Sequence, residues 1–494
     1  MKPTFMTLLL VCVLFISNLF SQTHPALEIG IADTLHSKIL NADRPLQIYL
    51  PDNYENSKQE YPVIYLCDGQ WNFLHVVGIV SNMAGNGRIP HSILVSIPHS
   101  NRDDDLVPKT MRSDNYSGKA DDFQNFLSKE LMPYIEGKYR TQPLRILIGH
   151  SYGGLFVHYT MITRPEMFDA FVAVDPSLWW DQYRMLSQTK EFFEKQDSFN
   201  KIIYFTQSEI ESMGSDRFAQ MLYRDAPRGL KWKFNHMRQE THGSVAHRTI
   251  YDGLEFIFSD WSPRAVAMNP KDAIFLKGDT LKVELSHPKA TRIHYTLNGD
   301  EPTEASPVYE KPLAITKPCL VKAIPFFGYG IVGSCNSSEY EIAKLQKAVK
   351  GIKDLKKGLA YKFYEGEWDS LPDFNKLKPK ATGVTDSVGL QCSPVKDLLG
   401  LVFDGYIDID KEEIYTFFIR SDDGSRLIIG GKELIVHDGL HSASEKSRQI
   451  LLEKGKHKIH VEFFEKAGGE HLELNYAGPG IEKTIIPASV FYNK

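Results

Sequence analysis

The chain has 494 residues, 42% hydrophobic and 24% charged, with a formal net charge of −5 at pH 7. These values exclude a disordered chain, a collagen-like fibre and a disulfide-stapled miniprotein, and they leave no basic footprint for nucleic acid. At about 100–200 residues per domain, two to four domains are expected.

Lys2 precedes an apolar run over residues 5–16, and small Ser21 closes the segment. Positive start, apolar middle and small-residue end read as a secretory signal peptide over 1–21. A membrane anchor is the alternative, for which the run is short. Export to the periplasm, the cell surface or the medium is therefore expected, with no transmembrane segment in the mature chain. Beyond the leader stand Cys67, Cys319, Cys335 and Cys392. Cys319 and Cys335 flank a hairpin expected through Phe327-Gly328-Tyr329-Gly330. A bridge between them is one reading and unpaired buried thiols the other. No CxxC or His/Cys cluster points to a zinc site, and no metal ligand is assigned.

From 22 to 262, apolar runs at 62–67, 92–97, 144–148, 170–174 and 201–205 read as buried strands. Helical patterns lie between them, such as 120–139 with Phe123, Phe126, Leu127, Leu131 and Ile135 at 3–4 spacing. That rhythm predicts a mostly parallel sheet with helices on both faces. From 263 to 343, short alternating runs separated by Asn298-Gly299-Asp300 and glycine turns predict a small all-β domain. The lysine-rich stretch 344–357 reads as a linker or a short solvated helix. From 358 to 494 the pattern is again β. The fold class expected is thus multidomain: an α/β domain, a small β domain and a C-terminal β-sandwich.

The chemistry concentrates at Gly149-His150-Ser151-Tyr152-Gly153-Gly154, between a buried strand and a helical run. This is the strand–turn–helix setting of a nucleophile elbow, in which the turn strains the serine backbone and projects its oxygen at the sheet's rim. Ser151 is the expected nucleophile. A serine hydroxyl needs a base, and the chain order in such sites is serine, acid, histidine. His242, in the Thr241-His242-Gly243-Ser244 loop after a strand ending at His236, is the expected base. His236 and His247 read as ordinary packing or surface histidines. The acid is sought after the 201–205 strand, where Glu209 is the first choice, Glu211 the alternative and Asp216 a further candidate. Two backbone amides must hold the oxyanion. Tyr152, after the nucleophile, supplies one. Gln70, in the Cys67-Asp68-Gly69-Gln70-Trp71 turn, supplies the other, with Asp68 ordering that turn.

These residues resemble the esterase family of the α/β-hydrolase fold that includes enterochelin, esterase D-like, feruloyl and acetyl-xylan esterases. The stretches that carry it include Leu35-His36-Ser37-Lys38-Ile39-Leu40, Tyr65-Leu66-Cys67-Asp68-Gly69, the elbow, Pro176-Ser177-Leu178-Trp179-Trp180 and His242-Gly243-Ser244-Val245. The resemblance implies ester hydrolysis without a metal or organic cofactor. It also implies that Trp179, Trp180 and the 101–108 loop, with Arg102, border the substrate. Where the family often has a glycine before its acid, this chain reads Thr206-Gln207-Ser208. The middle domain resembles the immunoglobulin-like β domain near the C-terminus of chitobiase and β-hexosaminidase. The last resembles the protective-antigen-type β-sandwich, in some adhesins of which an adjacent Asp pair binds Ca²⁺ and sugar. Asp422-Asp423 occupies the corresponding place, with a structural turn as the leading reading and carbohydrate binding as the other. Two residues alone do not supply the 6–8 oxygens Ca²⁺ takes.

The function expected is a secreted serine ester hydrolase acting on acetyl or feruloyl groups of a glycan. A siderophore trilactone esterase is the second reading. A glycan-binding surface protein with an inactive hydrolase scaffold is the third. The expected partner is an ester substrate, glycan-linked in the first reading; nucleic acid is not expected, and no oligomeric state follows from the sequence.

Overall fold

The computed structural model describes residues 28–52, 54–109, 118–210 and 213–494. The leader expected over 1–21 and Glu211 lie outside the described residues. Two compact units emerge. One comprises the chain up to 264 with 289–291 and 326–334, and the other comprises 265–288, 292–325 and 335–494.

The first unit is built on an eight-stranded sheet. Its strands are β1 (Ile31–Ser37), β2 (Ala42–Tyr49), β3 (Tyr61–Cys67), β4 (Ile93–Ile97), β5 (Thr141–His150), β6 (Ala170–Val174), β7 (Ile202–Gln207) and β8 (Lys231–His236). They lie in the order β1-β2-β4-β3-β5-β6-β7-β8. β1 and β2 are antiparallel and the other six are parallel. Parallel strands need crossovers, and helices supply them. They are α1 (Gly69–Gly85), α2 (Arg102–Leu106), α3 (Ala120–Phe126), α4 (Met132–Lys138), α5 (Tyr152–Thr163), α6 (Trp180–Phe193), α7 (Ser215–Asp225) and α8 (Val245–Ile257). The helix expected over 120–139 forms as α3 and α4 joined by a π turn, Leu127–Leu131.

Every residue of β3, β4, β6 and β7 is buried, which is why these strands read as unbroken apolar runs. Their side chains alternate between two cores. Val63, Tyr65 and Cys67 join Phe123, Phe156 and Phe171 on one face, while Ile64 and Leu66 join Val76, Val80, Ile250 and Leu254 on the other. The sheet is thereby clamped on both sides, and its parallel strands end at one common rim. This is the α/β-hydrolase-type architecture expected for 22–262. Among the described residues, no helix is long and apolar enough to cross a membrane.

The second unit is all β. Its N-terminal part forms a four-stranded and a three-stranded sheet. Its C-terminal part forms a sandwich in which Leu401, Phe403, Phe417, Ile419, Leu427, Val461, Phe463 and Leu474 share one core. The stretch 344–357 is not a free tether or a helix. Leu345–Gln346 pairs with Leu451 and Leu452, and Lys356–Lys357 pairs with Tyr492 and Asn493. Lys356 and Lys357 thus stand on paired backbone, while Lys347, Lys350 and Lys353 lie on irregular backbone between the two short pairings and Lys344 just before the first. The bridge considered between Cys319 and Cys335 does not form: both are free thiols. Strand register is the reason. Cys319 lies opposite Tyr340 and Ala323 opposite Asn336, which puts the two cysteines at opposite ends of the pairing.

Candidate active site

β5 ends at His150, and α5 begins at Tyr152. Ser151 between them has φ 60° and ψ −114°, a conformation that costs a non-glycine residue of order 1–3 kcal/mol. The elbow is tight enough that a Cβ on Gly149 would lie 2.3 Å from the carbonyl oxygen of Gly153. The serine is also riveted to the strand beside it. Its N–H donates to the carbonyl of Val174 at 2.9 Å, and its carbonyl accepts from Ser177 N–H at 3.1 Å. Ser177 Oγ lies 3.3 Å from Ser151 Oγ.

His242 sits in the loop between β8 and α8, as expected. Its Nδ1 lies 2.7 Å from Oδ2 of Asp175. Its ring faces that of His150, the residue before the serine, with centroids 4.6 Å apart. Asp175 is fully buried. It also takes a hydrogen bond from Ser208 N–H at 3.0 Å and another from Ser208 Oγ at 2.6 Å. A carboxylate so surrounded is held in one orientation.

The carboxylate that meets His242 is thus that of Asp175 and not that of Glu209, the first choice from the sequence, while Glu211 lies outside the described residues. Glu209 is exposed, with its N–H donating to the carbonyl of Glu240. Asp216 is the second residue of α7, and its N–H donates to Gln207 Oε1. The physical reason lies in the neighbouring strands. β6 adjoins β5 directly, so the turn after β6 passes under the elbow, and the position after β7 holds Ser208, which braces the acid. One signal in the sequence marks this. A Cβ on Gly154 would lie 2.9 Å from Pro176, so the third glycine of the elbow leaves room for the Asp175-Pro176-Ser177 turn.

The two amides assigned to the oxyanion belong to the first turns of α5 and α1, where backbone N–H groups have no acceptor within the helix. Tyr152 opens α5, and Gln70 is the second residue of α1, behind Asp68 in a left-handed conformation. Positive ends of both helix dipoles reinforce the cradle. Trp179 is 40% exposed and Trp180 partly buried, and both rings lie near that of Tyr152, with centroids 6.2 and 5.7 Å away. Arg102, expected to touch substrate, has its Nε and Nη2 spent inside the protein. Nε donates to Asp68 Oδ1 at 2.6 Å, and Nη2 donates to Asp68 Oδ2 at 3.0 Å and to the His150 carbonyl at 2.7 Å. Burial pushes His150 down to about 4, so that ring is neutral beside the base.

In the second unit, Asp422 and Asp423 hold turns. Asp422 accepts from Ala443 N–H, and Asp423 accepts from His441 and Lys466 N–H. The sequence did not reveal a third carboxylate, Glu465, which is fully buried and offers an oxygen within 4.8 Å of both. Neither of its oxygens has a hydrogen-bond partner, and burial with the nearby Asp423, Asp422 and Asp397 pushes it up to about 8. Three carboxylates so placed could hold a hard cation.

Residues 37–215 match the family described as "Putative esterase". That match lies within the first unit. Residues 283–340 match the family described as Fn3 associated, and 355–489 match the PA14 domain. Over 169 residues the chain is 30% identical to the siderophore triacetylfusarinine C esterase of Aspergillus fumigatus, covering 30% of this chain and 56% of that protein. Over 149 residues it is 30% identical to the ferri-bacillibactin esterase BesA of Bacillus subtilis, covering 28% and 52%. The chain thus spans about half the length of these relatives. An IroE-like serine hydrolase from Shewanella oneidensis is 32% identical, with a TM-score of 0.45, covering 47% of this chain and 81% of that one.

Proposed function

We propose that the esterase domain hydrolyses carboxylic esters through an acyl-enzyme on Ser151. The observation that carries this is the His242–Asp175 hydrogen bond at the rim where the strained Ser151 stands. With Nδ1 committed to Asp175, Nε2 is the nitrogen available to the serine. His242 takes the Ser151 proton as the oxygen attacks the ester carbonyl. The amides of Tyr152 and Gln70 receive the oxyanion. His242 then protonates the leaving alcohol, and water repeats the cycle. Asp175 orients the imidazole and stabilises its cation.

Of the two ester classes expected, the siderophore ester has the better support, because two of the curated relatives are named as siderophore esterases and a third as a ferri-bacillibactin esterase. The glycan ester rests on the trailing PA14 and Fn3-associated domains, which is an argument from domain company alone. Export, read from Lys2 and the apolar run, suits either substrate. The test is Ser151→Ala against wild type on a chromogenic ester, followed by product analysis with a catecholate trilactone and with acetylated xylan. Loss of several orders of magnitude in rate is expected for the variant. Retention of most activity would remove the proposal.

A further inference from the structure

We propose that Arg102 is a positioning residue that fixes the distance between the two halves of the oxyanion cradle. The inference rests on the esterase reading and refines the role of a residue that the sequence had set against the substrate.

The two amides of the cradle come from separate helices on separate strands, so nothing in the local chain fixes their spacing. Arg102 spans the gap. Its guanidinium grips both oxygens of Asp68, the residue that turns the chain into α1. The same Nη2 donates to the carbonyl of His150, the residue before the nucleophile. The aromatic contacts repeat the pattern. Its Cζ lies 5.8 Å from the ring of Trp71, in the first turn of α1, and 5.4 Å from the ring of Tyr152, which opens α5. One planar cation thus holds both helix starts, by hydrogen bonds at its edge and by rings on its faces. A lysine cannot reproduce that fork.

The strut is itself anchored. Asp105, on the same short helix, is buried and pairs with Arg44 at 2.5 Å and with His99 Nδ1 at 2.8 Å. His99 N–H in turn donates to Gln70 Oε1 at 3.1 Å. The segment from His99 to Asp105 therefore holds the Asp68–Gln70 turn at two points and is fastened to the core by a buried ion pair.

The experiment compares wild type, Arg102→Gln, Arg102→Lys and Asp68→Asn on neutral p-nitrophenyl butyrate and on anionic mono-p-nitrophenyl succinate. A misplaced cradle predicts kcat lower by about 10- to 100-fold on both esters, with KM within about threefold. A trifluoromethyl ketone, which mimics the tetrahedral adduct, loses affinity in proportion to the fall in kcat/KM. The Asp68→Asn/Arg102→Gln double variant is no worse than the more impaired single one. Amide exchange at 68–72 and 150–153 accelerates in Arg102→Gln while the unfolding midpoint holds. A rise in KM confined to the anionic ester, with kcat intact, would make Arg102 a substrate-binding residue and overturn the proposal. So would unchanged exchange and unchanged kcat. Exchange does not depend on turnover. A wild type silent towards esters whose amides still respond would keep the strut and remove the esterase reading.

Discussion

A carboxylate stands buried at a strand end in each unit, and the two are treated in opposite ways. Asp175, just past β6, receives two hydrogen bonds from Ser208 and one from His242. Glu465, at the end of the strand Gly455–Glu465, has neither oxygen bonded and lies beside two other acids. The first environment gives the carboxylate donors from two directions and sets it against one imidazole nitrogen. The second makes the charge unfavourable and pushes the carboxyl up to about 8. Hydrogen-bond partnering of the buried acid therefore separates the two sites: complete at Asp175 and missing at Glu465.

The largest effect is expected where the partnered acid is broken. Asp175→Asn should lower kcat by about 10³- to 10⁴-fold on a small ester, because the amide favours the wrong imidazole tautomer. Glu209→Gln should leave kcat within about twofold, its side chain being exposed and the Nδ1 of His242 being bonded to Asp175 instead. Steady-state kinetics on both variants decides the assignment. The reverse pattern would return the acid to the turn after β7.

That misplacement shows what the sequence carries and what it does not. Buried parallel strands announce themselves because both faces are apolar, and the elbow announces itself because glycines must flank a strained serine. Ser151 and His242 follow from those patterns alone. Which strand lends the acid depends on which strand end passes under the elbow, a matter of three-dimensional adjacency. Asp175 directly follows the apolar run 170–174, and the Cβ-free surface of Gly154 is what leaves room for its turn. Likewise Glu465 sits in an alternating strand where one acid is unremarkable, and only the sandwich brings it to Asp422 and Asp423.

Stability variants sharpen the contrast between the units. Phe417 is fully buried in the sandwich core, and Phe417→Ala should cost about 3–5 kcal/mol in denaturant unfolding of that unit while kcat on a small ester is unchanged. Gly154→Ala is smaller and does the converse. Its Cβ would meet Pro176 at 2.9 Å, so the turn between Asp175 and Ser177 must shift. Overpacking of this kind costs about 1–3 kcal/mol, and here it should lower kcat as well. An unaltered kcat in Gly154→Ala would show that the Asp175 turn tolerates displacement.

The smallest effect expected is a difference in pH response. In the sandwich, His460 lies between Asp404 at 2.7 Å and Glu462 at 3.2 Å, with Lys362 and Arg426 completing the charged row. The two carboxylates outweigh burial and raise His460 to about 9. Its pKa is higher folded than unfolded, so the stabilisation is complete below about 6.5 and disappears as pH rises through 9. In the hydrolase, burial lowers His150 to about 4 and His158 to about 3. Their neutral forms favour the fold above about 6.5, and that advantage erodes as pH falls towards those values. His437 in the sandwich, lowered to about 4, behaves like them in acid, so the two units part company on the alkaline side. Amide protection followed from pH 6.5 to 9.5 should fall at 399–409 and 455–465 and hold at 61–67 and 170–174. Glu465, raised to about 8, loses its own stabilisation over the same interval, so His460→Gln should reduce the alkaline fall and Glu465→Gln should remove the remainder. Equal loss in both units would mean that neither group contributes.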